Sequence, residues 1–564
     1  MQRPAVEAGE EENPLIEPRT DMRPMRRWLI AAIALACAPL LHGAPVKVAQ
    51  GQLEGTDESG MRVFRGIPFA APPVGTLRWR EPQPVASWPG VRKADQFGPA
   101  CAQGRVEADG SLASGISEDC LYLNVWTPAK AGEKLPVLVW IYGGGFSGGR
   151  TSDPMFDGAA LASKGVVYVS VAYRVGVIGF FAHPELSAEN KRAHGVAASG
   201  NYGLLDMVSS LQWIKKNIAA FGGDPNKVTI WGESAGAMAV SMLTVAPQAK
   251  GLFRGAISDS GGSFGAVRTP TAPGENLPPL AIAEQAGVAL ANKVHAPGIE
   301  ALRGKSAGEL MTQSRGIGGI GWPVLDQWVL PDDQHVLYEK GKYHDTPILV
   351  GINSDEGASF SRTSDRAQFE SDTRVRFGPL ADRILKAYPA DASGSIKQAA
   401  RDVMREASFG WHTWVWAKLQ NARGGSPAYV YYMDQRPPYP ADSRNADVAG
   451  VPHGQELPYV FQKLDLTPLP WTDADRRVSA AMATYWTNFA KTGNPNGGGL
   501  PQWPAFTVKD QQRMEFKGTP QSRPYDNVAQ LEAMDAYFAW RRTPEGHEFG
   551  KHGGDTNSAP LGLR

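Results

Sequence analysis

The chain has 564 residues, 42% of them hydrophobic and 20% charged, which is the composition of an ordinary globular protein with room for a large core. Lys and Arg together number 57, as do Asp and Glu, so the formal net charge is zero. That balance removes the electrostatic case for a nucleic-acid or anionic-membrane partner. The 63 glycines and 44 prolines call for many turns and long ordered loops. Aromatics spread along the chain argue against disorder.

Met1 to Asp21 is polar and acidic, with no hydrophobic period. Met25-Arg26-Arg27 then leads into an apolar run from Trp28 to Ala36, with small residues towards Ala44. A basic start, a short apolar stretch and small residues at its end form the pattern of a secretory signal peptide. The stretch is shorter than the roughly 20 residues a membrane span requires. Residues 1–43 are therefore expected to be an N-terminal extension plus signal, with translation beginning at Met22 or Met25, and the mature protein to be periplasmic or secreted. A membrane anchor is the weaker reading. So is a lipid anchor on Cys37, because Ala34 stands where such signals usually carry leucine.

Beyond that segment two cysteines remain, Cys101 and Cys120. An even pair close in sequence in an exported protein reads as a disulfide. No Cys-x-x-Cys and no histidines paired at ligand spacing occur, so no metal site is expected.

Several strands follow. Pro136 to Tyr142 and Val166 to Tyr173 are nearly continuous apolar runs, as expected of strands buried on both faces. Leu204 to Ile218 has helical spacing and stops before Gly222-Gly223-Asp224-Pro225. Val228 to Trp231 is a short β-branched strand, and Ala237 to Leu243 is rich in helix formers. Thr346 to Asn353 and Ala428 to Tyr432 are later strands. Strands alternating with helices predict an α/β fold with a mostly parallel sheet and helices on both faces. Thr269 to Pro279 and Arg436 to Ala446 read as Pro-rich surface connections, and 546–564 as a flexible tail. The single domain is expected to span 44–545.

Between the strand at Val228 and the helix at Ala237 lies Gly232-Glu233-Ser234-Ala235-Gly236. A serine between two glycines at a strand-to-helix turn is the nucleophile elbow of an α/β-hydrolase. The turn is so tight that both flanks must be small. The N–H of Ala235 then faces the serine from a helix N-terminus, where negative charge is favoured. A serine needs a base, and the base needs an acid to orient it; in this fold they follow in the order Ser, acid, His. Asp355-Glu356-Gly357 comes just past a strand end, and His453 lies between Pro452 and Gly454. Tyr142-Gly143-Gly144-Gly145-Phe146 follows a strand directly, so backbone N–H groups there can approach a developing oxyanion without interference from a Cβ.

These features, with Phe64 to Gly75, Ser117 to Trp126, Asn201 to Asp206 and Tyr485 to Ala490, resemble the type-B carboxylesterases, the family of para-nitrobenzyl esterases and cholinesterases. The matching runs keep family order over most of 44–540. The resemblance implies an α/β-hydrolase fold with loop insertions forming a gorge. It implies Ser234 as nucleophile, Glu356 as acid (with Asp355 the rival) and His453 as base. The oxyanion donors would be Gly144, Gly145 and Ala235. Cys101 would pair with Cys120. Glu233 would support the site through a buried network with Ser260. No cofactor is implied, and the partner is a small-molecule ester, with a monomer favoured. The same residues would serve an acyltransferase or an amide or carbamate hydrolase. A non-catalytic binding relative is disfavoured because every catalytic position is filled.

Two departures narrow the reading. The segment Ala102 to Asp119 is short and lacks the cation-binding tryptophan of cholinesterases, so choline esters are not the expected substrate. Arg150 follows the glycine loop where similar enzymes tend to carry a small residue. It reads either as a salt-bridged surface residue or as a partner for a substrate carboxylate. The remaining histidines, among them His183, His335 and His412, read as surface or satisfied core residues, and the tryptophans Trp411, Trp414 and Trp416 either line the gorge or fill the core, with core packing the preferred reading.

Overall fold

The computed structural model describes residues 41–42, 44–130, 132–267, 277–390 and 395–552. The signal-like segment, Cys37 and most of the connection from Thr269 lie outside the described residues. The described residues from Leu41 onward form one compact unit. No described helix is long and apolar enough to cross a membrane.

The centre is a twelve-stranded sheet. Its strands in chain order are β1 (Leu41–His42), β2 (Thr56–Glu58), β3 (Met61–Pro68), β4 (Tyr122–Thr127), β5 (Leu135–Ile141), β6 (Val167–Val171), β7 (Gly223–Glu233), β8 (Gly255–Asp259), β9 (Ile348–Asn353), β10 (Ala428–Met433), β11 (Gln512–Phe516) and β12 (Gln521–Pro524). Across the sheet they run β1-β2-β3-β4-β6-β5-β7-β8-β9-β10-β11-β12. From β6 to β11 every neighbouring pair is parallel. The pairs at both margins are antiparallel. Every residue of β6, β8 and β9 is buried, which accounts for their unbroken apolar sequences: parallel strands are covered on both faces.

The strands read from sequence are present, with ends within a few residues of the runs that announced them. β7 starts earlier than its apolar run, because Gly223 pairs with Leu135 before a register shift brings Val228 opposite Val137. Trp411, Trp414 and Trp416 are buried in the core. The segment 436–446 has neither helix nor strand. The C-terminal segment differs from expectation. Pro544–His552 is helical, and Phe549 packs on Trp540 with ring centroids 5.1 Å apart, so the chain stays anchored past residue 546.

Cys101 and Cys120 are disulfide-bonded. Gln103, just inside that loop, accepts from Gly149 N at 2.7 Å and donates to Gly149 O at 2.7 Å. The disulfide loop therefore grips the backbone that follows the glycine turn after β5.

Candidate active site

Parallel strands deliver their C-terminal ends to one edge of the sheet, where ligands bind in open α/β folds. β7 ends at Glu233, and a helix, Ala235–Leu243, begins immediately after Ser234. Ser234 has φ 55° and ψ −124°, a conformation that costs a non-glycine residue about 1–3 kcal/mol. The flanks explain how it is held. A Cβ on Gly236 would overlap Ile141 O and stand 2.8 Å from Tyr142 O; one on Gly232 would stand 2.8 Å from Ala237 N. Ser234 N donates to Asp259 O at 2.9 Å, and Ser234 O accepts from Met238 N at 2.8 Å. Strand, neighbouring strand and helix together fix the serine.

His453 connects this serine to Glu356. Ser234 Oγ lies 2.8 Å from His453 Nε2, and His453 Nδ1 lies 2.6 Å from Glu356 Oε2. A carboxylate only accepts, so Nδ1 carries a proton, and in the neutral imidazole Nε2 is the atom that accepts from the hydroxyl. Glu356 is fully buried. Its other oxygen accepts from Asn353 N at 2.8 Å and from Ser260 Oγ. Asp355, one residue earlier, faces away: its Oδ2 accepts from Arg401 Nη1 at 3.4 Å and Ala449 N at 3.2 Å.

The supporting network differs from the sequence reading. Ser260 donates to Glu356 rather than to Glu233, because it caps β8 beside the end of β9, where Glu356 sits. Glu233 instead places Oε1 3.3 Å from His453 Nε2. Burial raises the Glu233 carboxyl pKa, opposed by His453 and reinforced by Glu356. For His453, burial disfavours the cation, but Glu233, Glu356 and Glu456 outweigh it and raise the pKa to about 9. A near-neutral imidazole, the expectation from an isolated histidine, becomes a more basic one.

Glu456 is a member of this cluster that the sequence reading left without a role. It is fully buried, accepts from Asn353 Nδ2, and is pushed strongly towards its neutral form by burial and by Glu233 and Glu356. Its signal was its position three residues after the histidine. Asn353 also donates to Pro452 O at 2.9 Å, which ties the end of β9 to the loop carrying His453.

The glycine turn lies against Ser234. A Cβ on Gly143 would stand 3.0 Å from Ser234 Cβ. Gly144 and Gly145 have φ of 100° and 60°, and Gly144 O accepts from Ser147 N at 3.1 Å and Gly148 N at 3.2 Å. Ala235, first in its helix, has an N–H with no acceptor inside the helix. Arg150 is exposed and forms no ion pair among the described residues. Of the other histidines, His412 is buried and its Nδ1 accepts from Phe264 N at 3.1 Å.

The model of the carboxylesterase family matches residues 43–534. The chain belongs to the carboxylesterase family. With relatives that are themselves named esterases, it is a carboxylic ester hydrolase. Among curated relatives, it is 37% identical to a fumonisin B1 esterase from Sphingopyxis macrogoltabida, over 81% of this chain and 83% of that one. It is 34% identical to a para-nitrobenzyl esterase of Bacillus subtilis, over 82% and 92%. It is 35% identical to a mouse cholinesterase, over 85% and 82%. Among solved structures, a PNB esterase superposes with a TM-score of 0.73 at 30% identity, covering 87% of this chain and 99% of that one. A carboxylesterase of Geobacillus stearothermophilus superposes with a TM-score of 0.73 at 32% identity, covering 87% and 100%.

Proposed function

We propose that this esterase cleaves carboxylic esters through a Ser-His-Glu triad and an acyl-enzyme. Ser234 attacks the ester carbonyl while His453 Nε2 takes the hydroxyl proton. Glu356 holds the imidazole and balances the imidazolium that forms. The N–H groups of Gly144, Gly145 and Ala235 receive the oxyanion, each donor contributing about 3 kcal/mol to the transition state. His453 then protonates the departing alcohol, and water, activated by the same base, releases the acid. The observation that carries the reading is the unbroken path from Ser234 Oγ to His453 at 2.8 Å and on to Glu356 at 2.6 Å. Replacing Ser234 with Ala should abolish ester turnover without changing the thermal midpoint. Wild-type turnover in that variant would end the proposal.

A second element concerns the ester itself. Arg150, exposed and without an ion pair just beyond the glycine turn, supports an ester bearing an anionic group. Arg150→Ala should raise KM for an anionic ester about ten-fold and leave a neutral ester of the same size unchanged. Equal losses on both would remove the idea. The signal-like segment and the disulfide support export, since disulfides persist in oxidising compartments.

A further inference from the structure

One aromatic contact at the site is made by an element outside the parallel sheet. Helical residues Ile396–Arg405 and Trp411–Arg423 are joined by a single π-turn, Glu406–Gly410. Such turns insert a residue into a helix and re-aim the side chains they carry, and they recur at functional sites. Here the turn carries Phe409, which is 2% exposed. Its ring stacks on His453, with centroids 4.6 Å apart and planes 25° from parallel. Phe360, just past the acid, covers the imidazole at 5.0 Å and 58°.

The helix that leads into the π-turn is anchored to both loops of the site. Arg405 Nη1 donates to Ser354 O at 2.8 Å, two residues before Glu356. Arg401 bridges Asp355 at 3.4 Å and Asp447 at 3.1 Å, the latter on the approach to His453. Glu406, fully buried, accepts from Arg405 at 2.7 Å and from Asn527 Nδ2 at 2.7 Å, so the turn's own charge is paired.

We propose that Phe409 is a positioning residue for the base: the π-turn sets its ring against the imidazole, fixing that plane and favouring the cation formed during catalysis. The face of an aromatic ring carries negative charge density and attracts a cation laid over it. The titratable groups facing His453 are Glu356 from the acid loop, Glu233 from the elbow and Glu456 from its own loop. On the helix that carries Phe409, Arg405 pairs with Glu406 and with Asp402. Phe409 thus supplies the apolar face of a base whose edges are held by carboxylates. The proposal rests on His453 acting as the base.

The test is an NMR titration of His453 in Ser234→Ala protein, with and without Phe409→Leu, which keeps an apolar side chain but removes the π face. The titration midpoint should fall by about half to one pH unit. In the active enzyme, Phe409→Leu should move the acid limb of kcat/KM the same way and lower kcat about ten-fold, with KM within about two-fold. Phe409→Tyr should restore both. Phe221→Leu, a buried aromatic loss packed against Phe64 and Trp213, should move neither. Should Phe409→Leu not fold, Phe409→Met takes its place. An unchanged midpoint, or equal shifts for Leu and Tyr, would overturn the proposal. Turnover surviving His453→Ala would instead overturn the base assignment, which the NMR midpoint does not depend on.

Discussion

Glu356→Gln tests the proposed relay most finely, because the structure dictates how the amide must sit. In the native site Oε1 faces two donors, the Asn353 N–H at 2.8 Å and the Ser260 hydroxyl, and Oε2 faces His453 Nδ1 at 2.6 Å. The Asn353 N–H is fixed by the backbone and cannot reverse. The glutamine oxygen must therefore take the Oε1 place, and its NH2 must face Nδ1. Two donors cannot share that contact, so His453 is forced into the tautomer with the proton on Nε2. That nitrogen can no longer accept the Ser234 proton. The corresponding change in a Ser-His-Asp triad costs about 10⁴ in kcat, equivalent to about 5 kcal/mol of barrier. The same loss is expected here, measured with a chromogenic ester at saturating concentration, with KM and thermal midpoint nearly unchanged. Asp355→Asn is the control: it weakens the tie to Arg401 and lowers stability, yet should keep kcat within about five-fold, since no catalytic group touches it. A Glu356→Gln enzyme retaining a tenth of wild-type kcat would refute the tautomer argument.

Glu233→Gln removes a charge that stabilises the imidazolium, so the His453 pKa should fall and the acid limb of kcat/KM should move to lower pH. A limb that stays in place would show that Glu233 and His453 are uncoupled. Replacing Cys101 and Cys120 together with Ser should lower stability by about 3 kcal/mol in a urea titration. It should also reduce kcat, because Gln103 clamps Gly149 from that loop; unchanged turnover would separate the disulfide from the glycine turn.

The most legible part of the site was its backbone. Gly232 and Gly236 stand where any side chain would collide with main-chain atoms, so the elbow is written in the residues themselves. The buried parallel strands were readable for a similar reason, since burial on both faces leaves continuous apolar runs. Roles set by packing between distant segments were less legible. Ser260 turns to Glu356 rather than Glu233 because β8 and β9 are neighbours, which no local pattern states. Glu456 gains its altered titration first from burial and then from Glu233, Glu356 and Asp259, which the fold brings near it. Phe409 reaches His453 only through one inserted helical residue, and its sequence surroundings resemble those of any core helix.

The central claim is that Ser234 is the nucleophile. Its most direct measurement is peptide mapping by mass spectrometry after titration with an organophosphonate ester. One equivalent should attach to Ser234 as activity falls in proportion, and the His453→Ala protein should label far more slowly. Activity that persists with Ser234 fully modified, or loss of activity with the adduct on another residue, would contradict the account.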